Sequence, residues 1–277
     1  MPTVDTFVAN KTTSCLATGV SGAGKSTLFA WAPQPIAMLL FDKDAPACPP
    51  GVDGSGIYYK TYPPAEVELS KDSYKRARNV ADAIIDDIQA IKNHFTKATP
   101  LKIKQFDGTV EEWPTPATVV VEGASTISQH FLNRVLTIHN KTRVEEFDNR
   151  YMAYDLRLQA LTDLYDMFLR FPCNKALSTW PNDETKSEKV NGKLESFKTG
   201  IVRPSLGGKL DAEGPGKFDS SIYCYSDQGK FYIRTRNNAK FQGFKLGGRY
   251  DAKEIIEVTI DPKNPVNLWS LLFGGGK

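Results

Sequence analysis

The chain is poor in the residues from which most metal and thiol sites are made: its 277 residues include 4 cysteines and 3 histidines. Cys15, Cys48, Cys173 and Cys224 are scattered, form no C-x-x-C pair and have no histidine at ligand spacing, so they read as buried thiols. His94, His130 and His139 are equally isolated and read as ordinary core or surface residues. No apolar run is long enough to cross a bilayer, so a membrane is not expected among the partners. Met1-Pro2-Thr3-Val4-Asp5 has neither the basic nor the apolar region of a secretory signal, and a cytoplasmic protein is expected. A net charge of +3 is too small to announce nucleic acid by itself. At 40% hydrophobic and 24% charged residues the composition is that of an ordinary globule, and the length suits one large α/β domain over 1–277.

What is there is concentrated near the start. Ser14-Cys15-Leu16-Ala17-Thr18 reads as a strand, Gly19-Val20-Ser21-Gly22-Ala23-Gly24-Lys25-Ser26 follows, and Thr27-Leu28-Phe29-Ala30-Trp31 is compatible with a helix. The pattern G-x-x-x-x-G-K-[ST] between a strand and a helix is a phosphate-binding loop. Its glycines let backbone N–H groups wrap a polyphosphate, Lys25 reaches the β/γ-phosphates and Ser26 holds Mg²⁺. A nucleoside triphosphate and Mg²⁺ are therefore the expected cofactors, held by residues 19–27 with Thr27 as the last contact.

Two further apolar runs read as strands buried on both faces of a mostly parallel sheet. Pro35–Phe41 ends in Asp42-Lys43-Asp44, and Ala117–Val121 ends in Glu122. Ligands of open α/β sheets sit beyond the carboxyl ends of strands. If the first run neighbours the phosphate-loop strand, Asp44 is placed to polarise an attacking water, with Asp42 in reserve. Glu122 stands where a Walker B carboxylate would hold the metal, and Ser26 and Glu122 are thus the expected metal residues. Between these runs, residues 45–70 read as a Pro- and Gly-rich loop with a short strand at Ile57–Tyr59. Val80, Ile84, Ile88, Ile91 and Phe95 form the stripe of an amphipathic helix, whose other face, with Asp82, Asp86 and Asp87, reads as solvated.

After a further helix through Leu156–Leu169, Asn174–Thr179 reads as another strand, with Ser178 and Thr179 at its carboxyl end. Either hydroxyl can sense a γ-phosphate, and either is also a plain strand terminus. Residues 181–200 are charged and aperiodic, which predicts a mobile loop following a nucleotide-binding core of about 12–180. Lys186, Lys189, Lys193 and Lys198, with Phe197, give that loop the mixture that suits single-stranded DNA, but Glu184, Glu188 and Glu195 dilute it, and a plain solvated loop is the equal alternative. In the β-rich remainder, about 201–277, Ser220–Tyr225 and Lys230–Arg236 form a hairpin signal around Ser226–Gly229. Arg234 and Arg236 share one face of it, as candidate arginine fingers or as solvated charges.

Together, GVSGAGKS, the strand ending Phe41–Asp44, the strand ending Glu122–Ser125 and the late Arg203-Pro204-Ser205-Leu206-Gly207-Gly208-Lys209-Leu210 resemble a known family. The likeness is to the RecA-like P-loop ATPases of bacteriophages, including the Sak-type single-strand annealing proteins, described broadly as an AAA-type domain. The resemblance implies a RecA-like core that hydrolyses ATP and acts on single-stranded DNA in phage recombination or replication. It also implies a homo-oligomer with interfacial nucleotide and a single-strand-binding protein as a further partner. Lys25, Ser26, Glu122 and Asp44 match the family's phosphate, metal, Walker B and water-activating positions. The last two depart from its usual pattern, Glu standing for Asp and Asp for Glu. Two alternatives stay open: a nucleotide-gated assembly protein with little turnover, and a small-molecule kinase.

Overall fold

The computed structural model describes residues 12–41, 45–66, 69–70, 73–190, 193–247, 253–258 and 266–274. The parallel part of its main sheet is built from strands whose residues are nearly all buried. β1 (Ser14–Thr18), β2 (Ile36–Leu40) and β6 (Thr118–Glu122) are buried throughout, and β7 (Asn174–Thr179) is buried from its second residue. Alternate side chains enter two apolar layers, because successive residues of a strand point to opposite faces. Leu16, Leu39, Val119, Val121 and Leu177 pack under α2 (Tyr74–Lys97), α3 (Ala124–Ile138) and α4 (Arg150–Leu169). Ala17, Met38, Leu40, Val120 and Ala176 face the other layer, with Leu28 and Phe29 of α1 (Lys25–Ala30) and Trp269 and Leu272 of a final helix at Leu268–Phe273.

The eight strands run in the order β12-β11-β10-β1-β7-β6-β2-β3, where β3 is Ile57–Thr61, β10 Ser220–Asp227, β11 Lys230–Arg234 and β12 Ile255–Val258. From β10 to β3 all pairings are parallel; β11 and β12 add antiparallel ones. β1 lies between β7, which returns from one side, and β10, which opens the other. The strand order therefore reverses at the carboxyl end of β1, the usual place for a ligand in an open α/β sheet. The β10–β11 turn needs only Gln228 and Gly229, both at positive φ (48° and 78°), a twist that suits a two-residue hairpin. Among the described residues no helix is long and apolar enough to cross a membrane.

Three expectations require correction. Residues 181–200 are not an irregular loop: β8 (Pro181–Val190) pairs antiparallel with β9 (Lys193–Pro204) in a separate two-stranded ribbon. Cross-strand polar contacts accompany its ladder, with Lys198 Nζ 3.0 Å from Asp183 Oδ2, Arg203 Nη2 3.2 Å from Glu184 Oε1, and the Thr199 hydroxyl donating to the Glu184 carbonyl at 3.1 Å. With Asn182, Asp183, Glu184, Thr185 and Lys186 in succession, the start of β8 leaves no apolar period to read. Second, Cys48 is exposed, while the other three cysteines are buried. Third, Asp87 does not belong to the solvated face of α2. It is buried, 2.5 Å from the buried Lys60 Nζ, and accepts the Tyr62 hydroxyl. Burial raises the Asp87 carboxyl above its ordinary range against the pull of Lys60. A further hairpin, β4 (Leu101–Lys104) and β5 (Val110–Trp113), turns Leu101, Ile103 and Trp113 inward.

Removing one partner of a buried ion pair strands the other charge. Asp87→Ala is expected to lower the unfolding free energy by about 3–5 kcal/mol in urea titrations. Asp86→Ala, one position along and exposed, is expected to stay within about 0.5 kcal/mol. Burial also pushes the Cys173 and Cys224 thiols up to about 12, and Cys15 well above its ordinary value. Raised thiols favour the folded state fully below their unfolded value of 9.0, and that contribution is lost as pH climbs toward about 12. Iodoacetamide at about pH 8.5 is expected to label Cys48 alone in the native protein and all four cysteines in urea, read by peptide mass.

Candidate nucleotide-binding site

β1 delivers Thr18 to the sheet edge, and Gly19–Ser26 then turns back into α1. Gly19 has to be glycine, since a Cβ there would lie 2.4 Å from the Cys224 carbonyl oxygen of β10. Gly22 and Gly24 adopt positive φ of 75° and 82°, the left-handed region that lets the loop curl over its own strand. A Cβ on Gly22 would meet nothing within 4 Å, so only the backbone conformation calls for glycine there. Ser21–Thr27 line a cavity of about 200 Å³ that Glu122, Ser178, Trp180, Phe231 and Ala47 complete. Gly19 and Val20 contribute through their carbonyls, which accept hydrogen bonds from Lys25 Nζ at 2.6 and 2.9 Å. The lysine is thereby held across the mouth of the loop.

Glu122 reaches the same cavity from β6, two places from β1. The Ser26 hydroxyl donates to Glu122 Oε1, and both side chains are buried. Ser178 on the intervening β7 steadies this arrangement: its Oγ accepts the Gly123 N–H at 2.9 Å, where Gly123 turns the chain at φ 107°. A hydroxyl and a carboxylate in contact beside a lysine are hard oxygen donors of the kind Mg²⁺ takes when phosphate oxygens and water supply the remaining ligands. Such a site needs no cage of protein ligands, and among the described residues no group of three or more His, Cys, Asp or Glu is gathered for one. The residues present therefore fit a nucleoside triphosphate with its magnesium. Cys224 lies near enough to Lys25 to feel its charge, yet burial dominates and holds it as a thiol, not a nucleophile.

The other sequence-derived residues are placed as follows. Asp42 and Asp44 lie outside the described residues. The strand before them does not neighbour β1; it pairs with β6, with Leu40 opposite Glu122 and the Phe41 N–H donating to the Glu122 carbonyl at 2.9 Å. Of the two β7 hydroxyls, Ser178 lines the cavity. Thr179 is not among the lining residues: its hydroxyl donates to the Ser205 carbonyl and lies 3.1 Å from the Ser125 hydroxyl, while its carbonyl accepts the Gly19 N–H at 3.1 Å. Arg234 is no solvated finger: it is buried, ion-paired with Glu254 and stacked over Phe241 at 4.8 Å. Arg236 is exposed at the start of the following loop. Lys186 and Lys198 are exposed on the ribbon, whereas the side chains of Lys189 and Lys193 lie outside the described residues.

Trp180 and Phe231 escaped the sequence reading. Trp180 follows directly on β7, and a Cβ on Gly24 would sit 3.4 Å from the Phe231 ring. Only the neighbouring strands bring Phe231 there; no local motif signals it. The late Arg203–Leu210 segment turns through Gly207, at φ 107° and against Ser128 of α3, and is held by Asp211 accepting the Leu206 and Gly207 N–H groups at 2.6 and 2.7 Å.

A methyl group at Gly19 has to push two backbone segments apart. Gly19→Ala is expected to lower unfolding free energy by about 1–3 kcal/mol in denaturant titrations and to weaken nucleotide binding. Gly22→Ala carries backbone strain alone, about 1–2 kcal/mol. Equal stability of the Gly19→Ala variant and the parent would contradict the packing described.

No protein-family model matches the chain, and no curated protein matches it in sequence. Among solved structures, it is similar to a KaiC-like protein, PH0186, from the hyperthermophilic archaeon Pyrococcus horikoshii OT3. The two share 13% identity over 92% of this chain and 88% of that one, with a TM-score of 0.39.

Proposed function

We propose that the chain is a RecA-like P-loop ATPase, its 277 residues forming one domain, that binds and hydrolyses ATP with Mg²⁺ and acts on single-stranded DNA. The observation that carries the nucleotide part is the Ser26–Glu122 contact beside Lys25 at the mouth of the glycine loop. In this reading Lys25 would turn from its two carbonyl partners to the β/γ-phosphates, and Ser26 and Glu122 are the residues that would hold the metal. Bound Mg²⁺ supplies charge neutralisation at the phosphates. Ser178 keeps Glu122 aimed by fixing the Gly123 N–H. Asp44, or Asp42, is the proposed acid that orients the attacking water, from the end of the strand beside Glu122.

The DNA part rests on the ribbon. It leaves the carboxyl end of β7 immediately after Trp180, which lines the nucleotide cavity, and it carries Lys186, Phe197 and Lys198 in exposed positions. A projecting strand pair with cations and an aromatic suits phosphates and bases of a single strand. The likeness to phage single-strand annealing ATPases, an oligomer with nucleotide between subunits and recruitment by a single-strand-binding protein belong to the same proposal. One observation favours the switch alternative: with Arg234 committed to Glu254, the chain has one arginine fewer to stabilise charge during transfer.

Steady-state phosphate release, with and without an oligothymidine, tests the proposal. The parent is expected to respond to DNA, and Lys25→Ala to lose about 10²-fold or more in turnover under both conditions. Turnover that ignores DNA at every salt concentration would sink the DNA part. Tight ATP binding without turnover would establish the switch instead.

A further inference from the structure

The sheet is covered unevenly. The layer formed with α2, α3 and α4 draws side chains from β1, β2, β6 and β7, and none from β10, β11 or β12. On β10 and β11, Ile222, Cys224 and Ile233 enter the opposite layer. By alternation Tyr223, Tyr225 and Tyr232 stand on the face opposite Ile222, Cys224 and Ile233, and all three are only half-buried. They form a ladder. Tyr225 and Tyr232 are cross-strand partners with rings stacked at 5.1 Å and 19°, and Tyr223 stacks on Tyr225 at 5.9 Å and 27°. Phe241 extends it, 4.7 Å from Tyr223, and carries Arg234 at 4.8 Å and Lys240 at 5.5 Å over its ring. Lys240, Arg236 and Lys245 are exposed around this row.

Phe241 lies in a segment stitched to the ribbon. The Val202 N–H of β9 donates to the Lys240 carbonyl at 2.7 Å, and the Gln242 N–H donates back to the Val202 carbonyl at 3.1 Å. The ladder and the ribbon root are therefore contiguous. Aromatic rings in a row, with Lys240 and Lys245 exposed beside them and Arg234 paired with Glu254, match the alternating bases and phosphates of a single strand. They do not match a duplex, whose bases are already stacked.

We propose that the Tyr223–Tyr225–Tyr232–Phe241 face is a binding platform for single-stranded nucleic acid. Bases stack against the tyrosine rings, and Lys240 and Lys245 take the backbone phosphates. The inference rests on the reading of single-stranded DNA as partner, and adds a second surface beyond the ribbon. It is independent of the nucleotide site, since none of these residues lines that cavity.

Fluorescence anisotropy of a labelled oligothymidine, titrated with the full chain at several salt concentrations, tests it. Tyr225→Ala is expected to weaken binding about 5- to 100-fold, and Tyr225→Phe, which keeps the ring, to stay within about twofold. Lys240→Gln, an exposed change, is expected to reduce the slope of log affinity against log salt by about 0.7. ATP turnover without DNA is expected to be unchanged in all three. Wild-type affinity in both Tyr225→Ala and Lys240→Gln would overturn the platform; if Lys186→Gln with Lys198→Gln then abolished binding, the ribbon alone would be the DNA site. A parent chain that binds no oligothymidine overturns both DNA surfaces and leaves the ATPase reading standing. Should Tyr225→Ala unfold, Tyr225→Phe and Lys240→Gln decide the matter, and an unaltered salt slope in the latter counts against the proposal.

Discussion

The site depends on the register of three parallel strands. Thr18 of β1 lies opposite Thr179 of β7, and Ser178 of β7 lies opposite Glu122 of β6. That alignment brings the end of the phosphate loop, the Ser178 hydroxyl and the Glu122 carboxylate to one level, although 96 residues separate Ser26 from Glu122 in sequence. Because side chains alternate with a period of two, a slip of one residue would turn Glu122 to the helix-covered face and present its neighbour instead. Apolar burial on both faces fixes the register: Val119 and Val121 go one way and Val120 the other, into separate layers. The chemistry is thus located by packing that involves none of the chemical groups.

This explains which parts were legible in advance. The glycine loop is local, so Gly19–Thr27 could be read from spacing alone, and the continuous apolar runs of β1, β2 and β6 announce strands buried on both sides. Strand order is not local. Nothing in Phe41–Asp44 says that its strand pairs with β6 and stands three places from β1, and nothing in Ser178-Thr179 says which hydroxyl faces the loop. Asp87 follows Asp86 on a charged helix face, and only the packing of β3 against α2 makes one buried and the other exposed. The β4–β5 hairpin was not among the expectations, although Asp107-Gly108 lies between short alternating runs and the Asp107 carboxylate accepts the Thr109 N–H at 2.8 Å.

Arg234 shows the same limit from the opposite direction. Its alternation with Arg236 in the sequence suggests two similar charges on one face. The fold gives them different surroundings, Arg234 enclosed by Glu254 and Phe241, and Arg236 beyond the end of the strand. Alternation predicts the face but not what lies over it, since the covering residues Phe241 and Glu254 arrive from later loops.

The two-stranded ribbon has an energetic consequence. Among the described residues its side chains enter neither main layer, only Leu206 and Leu210 just beyond its end doing so, and its Lys198–Asp183 ion pair is open to water. Exposed pairs of this kind are worth about 0–1 kcal/mol each and weaken with salt. The sheet is held by apolar burial, which salt does not screen. The chain therefore has two separate stability scales, and amide protons of the ribbon can exchange through local opening at a small fraction of the free energy needed to expose those of β1, β6 and β7.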